Sequence, residues 1–506
     1  MLVSAATLAA VAINGYHPYA EDGGIYVAGV KRLLDAGLYP HDAGFAMEPS
    51  RWSLFAPMVA AIVRAVHAPL PWVLLALHVG SIWGTLYAAW MLATRCYARS
   101  DALAGVVVLL ACWLGLPVAG TALYVMDPYL TARSFAIPAL LVAIAGALDA
   151  TDWDENPGRR WRGWMIWITG LAACAAMHPL IAMDAAAATM LLACLRARLS
   201  EVRTGGTVAV CATAIAVTAC AQLFAAPESA AYVRAALSRS YWFLSEWRWY
   251  ELVGVCAPVA ILGAAGWISG RRDKWGCKTG AERTLAQTAV IAGLLASAVA
   301  VLFAPECAPG HLVARMQPLR MFQVVYVVMI VVLGGRLGET VLRRSVWRWA
   351  AAGLVLGAVM FASTRAEYRA SHHLELPWIA KRNTWAQAFE WVRVNTPRDA
   401  LFATDGDYIH APGEDAQNFR AIAERSVLPD ASKDGGEASI APDLAKAWAQ
   451  GAAAQENLNA ISDAERVARL KPLGVGWVVL EASARTEFAC PYANAGVRVC
   501  RLGASQ

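Results

Sequence analysis

YHPYAEDGGIY, residues 16–26, decides how this chain is read. Two carboxylates, Glu21 and Asp22, come shortly after an apolar run over residues 1–15. Ionisable residues are scarce from there to residue 363, and the chain reads as one apolar span after another. An acidic pair in such surroundings needs a reason.

The 506 residues are 58% hydrophobic and 16% charged, with a mean hydropathy of +0.44. A soluble chain carries about 25% charge, so this is the composition of a polytopic membrane protein. The net charge of +5 is mild and gives no reason to expect a nucleic-acid partner. Trp52, Trp72, Trp164 and Trp249 flank spans, as an interfacial aromatic belt requires.

A helix needs about 20 apolar residues to cross the hydrocarbon core. Candidate spans are 1–15, 71–94, 102–121, 134–149, 163–177, 180–196, 206–224, 250–269, 284–304, 321–341 and 346–363. The first lacks a basic leader and is read as a truncated membrane helix rather than a signal peptide. Residues 53–66 are short and contain Arg64, so they read as a helix lying at the interface; residues 23–37 read the same way. With that choice, Arg95/Arg99, Arg159/Arg160/Arg162, Arg196/Arg198/Arg203, Arg271/Arg272/Lys274/Lys278 and Arg336/Arg343/Arg344 all fall in one set of alternate loops. The positive-inside rule makes that set cytoplasmic. Loops 16–70, 122–133, 225–249 and 305–320 are then outside, with the tail.

Polarity rises after residue 363, so residues 364–506 are expected to form a soluble α/β domain outside the transmembrane domain of residues 1–363. Residues 383–395 have helical periodicity, with Pro397 as a stop. Residues 400–404 and 475–481 are dense in strand formers, and 497–502 is expected to pair with the latter. Helices are expected at 416–424 and 442–470; residues 405–415 and 430–439 read as loops. No CxxC or Cys/His cluster suggests zinc, and most cysteines lie inside apolar spans. Cys490 and Cys500 bracket a polar turn and are expected to form a disulfide in an oxidising compartment.

Several outer residues can carry chemistry. A carboxylate at the membrane surface can take a proton from a hydroxyl nucleophile, and Gly23-Gly24 would let backbone approach a ligand. A solvated loop pair or a helix cap is the plainer reading of Glu21-Asp22. Asp127 and Arg133 are six residues apart; a turn and a snorkelling arginine compete with a binding role. His178 breaks two spans at a His-Pro step, as a tight connector or a site residue. Asp184 is an intramembrane carboxylate, suspect by default. His311, Arg315, Gln317 and Arg320 precede a long apolar span. Outer cations have no positive-inside explanation, and paired guanidinium donors suit phosphate; salt bridges to Glu21, Asp22 or Asp127 are the alternative. An anionic, lipid-borne substrate fits the whole pattern.

In layout the chain resembles the GT-C superfamily of membrane glycosyltransferases: many membrane helices, an acidic pair in the first outer loop beside interfacial helices, and a soluble outer domain at the C-terminus. YHPYAEDGGIY (16–26), MDPYLTARSFAIP (126–138), RMQPLR (315–320) and the tail segments at 385–400 and 419–425 look like uncharacterised bacterial relatives of that superfamily. The oligosaccharyltransferase signature WWDYG is not recognised in the tail, which leaves the acceptor open.

The resemblance implies an inverting transferase in the bacterial inner membrane, with its tail periplasmic. It would take a sugar from a polyprenyl-phosphate-linked donor in the bilayer to a glycan, lipid or protein acceptor. Asp22 would be the base, assisted by Glu21, and Arg315 and Arg320 would stabilise the leaving phosphate. Some members use a divalent metal and others do not. A transporter or flippase for a lipid-linked or anionic solute is the rival reading, but no repeat halves support it. A non-enzymatic membrane assembly protein is the third.

Overall fold

The computed structural model describes residues 1–153, 156–272 and 279–503. Lys274 and Lys278 of one inner basic cluster lie outside the described residues, as do the side chains of Arg271 and Arg272. Up to Glu367 the described chain is helical. Seven helices are long and apolar enough to cross a membrane: Leu70–Cys96, Arg133–Ala150, Ser200–Leu223, Trp249–Ile268, Gly280–Phe303, Leu312–Leu342 and Val346–Glu367. Leu2–Asn14, Phe55–Val66, Ser100–Cys112 and Pro179–Leu195 are shorter apolar helices. The expected span 163–177 falls within Pro157–Met177.

The span read as 102–121 stops at Cys112. Gly115 and Pro117 follow, and neither supports a helix interior. The chain folds back on itself instead, with Val118 N–H donating to Leu123 C=O at 2.8 Å. Glycine lets two helices touch elsewhere: a Cβ on Gly146 would lie 2.4 Å from Trp167 N, and one on Gly163 2.4 Å from Ala150 N. Small residues drive helix association in lipid by such close packing. Ser200–Leu223 buries no residue, though it is apolar over most of its length. Such a surface is costly in water and costs nothing in hydrocarbon.

The tail carries a five-stranded sheet: β1 (Leu401–Ala403), β2 (Ser426–Val427), β3 (Trp477–Glu481), β4 (Tyr492–Ala493) and β5 (Val497–Arg501), in the order β2-β1-β3-β5-β4. β1 runs parallel to β2 and β3; β5 is antiparallel to β3 and β4. Helix Thr384–Asn395 is capped by Asn383, whose side chain accepts from the N–H groups of Trp385 and Ala386. Its Phe389 packs edge-on against Phe419 at 5.0 Å. Cys490 and Cys500 are disulfide-bonded, with Cα atoms 3.9 Å apart, nearer than the roughly 4.4–6.8 Å usual for a bridge.

Two tail expectations are corrected. Residues 430–439, read as a loop, contain the helix Lys433–Ile440. The helical stretch 442–470 is broken into Ala445–Gln455 and Asp463–Leu470 after a short turn at Pro442–Leu444. The tail is stitched onto the first outer loop by backbone hydrogen bonds. Tyr16 N–H donates to His373 C=O at 3.0 Å, Glu375 N–H to Tyr16 C=O at 2.9 Å, Asn418 N–H to Tyr19 C=O at 2.9 Å, and Glu21 N–H to Ala416 C=O at 2.8 Å.

Candidate functional site

Glu21 and Asp22 form the first turn of helix Glu21–Leu34, where negative charge complements the helix dipole. Glu21 has φ of 52°, a left-handed conformation that costs a side chain of this type energy. The bond to Ala416 holds it there. Gly23 and Gly24 do not open a path for a ligand. A Cβ at Gly23 would lie 2.8 Å from Tyr129 Cβ, and one at Gly24 2.1 Å from Asn418 Cβ. The glycines admit protein side chains, one from the helical body and one from the tail. Lys31, in the same helix, donates its ammonium to Glu424 of the tail at 2.6 Å.

Two cations meet the acidic pair. Arg133 Nη2 donates to Asp22 Oδ2 at 2.9 Å and to Asp127 Oδ2 at 2.8 Å, and its Nε donates to the same Asp127 oxygen at 3.1 Å. Lys433 Nζ lies 3.3 Å from Asp22 Oδ1 and is ion-paired with Glu21 Oε2. Burial alone would raise the Asp22 carboxyl, but Lys433 and Arg133 overcome it and hold the group well below the usual carboxylate range. Lys433 responds in kind: burial would lower it, and the two carboxylates hold it above the ordinary lysine value.

Lys433 is placed by its own scaffold. Its N–H donates to Asp430 Oδ1 at 2.6 Å. Arg239 donates to the carbonyls of Ser432 and Ala431 at 2.5 and 3.0 Å. One residue on, Asp434 takes a bidentate pair from Arg420 at 2.7 and 2.9 Å, and Arg420 is also ion-paired with Asp42.

Glu21, Asp22 and Arg133 line a cavity of about 1380 Å³, together with His178, Arg315, Gln317 and Arg320. Segments 16–70, 122–133, 225–249 and 305–320 and the tail all contribute to its wall, so the loops assigned to one side lie together. Among the described residues neither Arg315 nor Arg320 forms an ion pair, and Arg320 Nε is buried without a hydrogen-bond partner. Gln317 Oε1 is likewise buried and unpartnered. Asp127 stands one contact behind the cavity, through Arg133. His311 is not in its lining: the Nδ1 atom lies 2.7 Å from Glu228 Oε2, and the ring fixes the loop that bears the arginines. Asp184 is buried in Pro179–Leu195, outside the lining.

Lys433, Arg239, Glu48 and Glu437 are cavity residues that the sequence did not single out. Glu48 Oε1 and both carboxyl oxygens of Glu437 are buried without hydrogen-bond partners among the described residues. Burial pushes Glu48 up to about 7, against a weaker opposing pull from Arg51. Only the polar run around Lys433 and the MEPS segment of residues 47–50 stood in the sequence, and neither has a distinctive spacing.

A divalent metal, which the GT-C resemblance leaves open, fits these residues poorly. Both Asp22 oxygens and Glu21 Oε2 face protein cations, and Asp127 Oδ2 is held twice by Arg133. Among the described residues no group of three or more His, Cys, Asp or Glu is placed to hold an ion.

No protein-family model matches the sequence, and no curated protein matches it. Solved structures are similar over most of its length. One is the Archaeoglobus fulgidus oligosaccharyltransferase complex with Zn and sulfate, at TM-score 0.48 and 12% identity over 95% of this chain and 68% of that one. Another is the archaeal oligosaccharyltransferase AglB from Archaeoglobus fulgidus in complex with an inhibitory peptide and a dolichol-phosphate, at TM-score 0.48 and 11% identity, covering 95% and 69%.

Proposed function

We propose that this chain is an inverting membrane glycosyltransferase of the GT-C kind. It takes a sugar from a polyprenyl-phosphate-type lipid donor to an acceptor hydroxyl at the periplasmic face of the bacterial inner membrane. One observation carries the reading. Across a single cavity at one end of the helices, the carboxylates Glu21 and Asp22 share the wall with Arg315 and Arg320, which have no acidic partner among the described residues. Negative charge on one part of the wall suits an attacking hydroxyl and an electron-poor sugar carbon. Guanidinium groups on another suit a departing phosphate.

In this reaction the anomeric C–O bond to phosphate breaks as the acceptor oxygen bonds to the opposite face of that carbon. The hydroxyl proton passes to a carboxylate, and the lipid phosphate leaves with the bonding pair, its charge gathered by Arg315 and Arg320. Asp22, held ionised by Lys433 and Arg133, is a weak base at rest. It accepts the proton late, after bond formation has made the attacking hydroxyl strongly acidic. Its fixed negative charge also favours the oxocarbenium-like carbon. His178 and Gln317 are positioned to contact sugar or phosphate oxygens.

Glu48 is a second candidate for the base, because its carboxyl titrates at about 7 and one oxygen is unpartnered. An ideal general base titrates near the working pH.

The test is turnover by purified full-length protein in lipid nanodiscs. A panel of radiolabelled polyprenyl-phosphate sugars is supplied, and release of polyprenyl phosphate is measured. Release by wild type and its loss in Arg320→Ala support the reading. Transbilayer movement of the intact donor in vesicles, with no release from any donor, would replace it with the flippase.

A further inference from the structure

The acidic pair is already matched by a cation from the far end of the chain. A divalent ion held jointly by Glu21 and Asp22 would need the volume that Lys433 Nζ fills. That nitrogen pairs with Glu21 Oε2 and lies 3.3 Å from Asp22 Oδ1. The second Asp22 oxygen faces Arg133 at 2.9 Å. An ion entering beside Lys433 would join a neighbourhood that also contains Arg315 and Arg320 on the cavity wall. It would have to displace the lysine. Lys433 does not move easily: Asp430 holds its amide, Arg239 holds the two preceding carbonyls, and the Asp434–Arg420–Asp42 chain ties its helix to the first loop. Gly435 completes the fit, since a Cβ there would lie 2.9 Å from Arg239 Nη2 and from Trp448 Nε1.

We propose that Lys433 is the resident cation of this site, standing where a divalent ion would otherwise bind. The C-terminal unit thereby completes a centre that the helical body leaves open. Lys433 is a positioning residue: it sets the direction of the Glu21 and Asp22 carboxylates and keeps metal out. Any role in sugar transfer rests on the function proposed above; the exclusion of metal does not.

The experiment uses metal-stripped, full-length protein in detergent, titrated with Mn²⁺ and followed by the electron paramagnetic resonance signal of the free ion. Wild type is expected to take up no Mn²⁺ that Asp22→Asn removes. Lys433→Gln is expected to take up one equivalent, lost again in Lys433→Gln/Asp22→Asn, because carboxylate oxygens are the ligands that hard dications prefer. In parallel, EDTA should leave wild-type donor turnover unchanged and lower that of Lys433→Gln at least tenfold, with Mn²⁺ restoring it. One wild-type equivalent abolished by Asp22→Asn would overturn the proposal, and so would a folded Lys433→Gln that takes up none. If Lys433→Gln does not fold, the wild-type titration decides alone. Mn²⁺ uptake as expected with no turnover of any donor would count against the transferase, not against Lys433.

Discussion

Lys433 Nζ lies 3.3 Å from Asp22 Oδ1, across 411 residues of sequence. One residue sits in the first turn of helix Glu21–Leu34, the other in a short helix of the C-terminal unit. The contact joins the two parts of the chain at the wall of the cavity.

Asp22→Asn should lower transfer roughly 10²–10⁴-fold, the usual cost of losing a general base. The fold should survive, because Arg133 keeps Asp127 and Lys433 keeps Glu21. Turnover and thermal unfolding measured on the same preparation check this. Transfer at the wild-type rate would move the base to Glu48.

Arg320→Ala should lower kcat about 10²–10³-fold, as loss of a donor to developing negative charge does elsewhere. It should not destabilise the protein, since Arg320 has no ion pair to break among the described residues. A matched fall in melting temperature and activity would make Arg320 a structural residue.

Glu48 gives a pH dependence of defined sign. Its carboxyl is raised from about 4.5 to about 7 by burial. Between those values the unfolded chain has released a proton that the folded chain keeps, so stability falls as pH rises through the window. A shift of this size corresponds to about 3 kcal/mol. Thermal unfolding from pH 4 to pH 8 should show the fall in wild type, and Glu48→Gln should flatten it.

Arg420→Ala should cost about 3–5 kcal/mol, because it leaves Asp42 and Asp434 buried without their cation. The helix that bears Lys433 loses its anchor with them. Activity should therefore fall further than for a substitution equally destabilising elsewhere in the tail, which paired unfolding and turnover measurements can separate.

An impermeant thiol reagent applied to intact spheroplasts should label Cys307, which is exposed in the loop assigned to the outside. Cys490 and Cys500 should label only after reduction. Labelling of Cys307 only in permeabilised cells would reverse the assigned sidedness.

The sequence by itself determined whatever depends on neighbours along the chain. Hydropathy over about 20 residues marks the long helices, because crossing hydrocarbon is a local requirement. Strand formers marked β1, β3 and β5, and loop charge grouped the segments that line one cavity. The acidic pair was visible because carboxylates are rare around it. Tertiary structure decided the rest. The run that became Lys433–Ile440 contains Gly435 and Gly436, which locally disfavour a helix; packing against Arg239 and Trp448 gives Gly435 its reason. His311 looked like a binding residue until Glu228 took it, and the glycines after Asp22 proved to receive Tyr129 and Asn418. A lysine in a polar stretch carries no local mark of its partner. Its pairing with Asp22 is fixed by long-range packing and a buried ion network, and those exist only once the chain has folded.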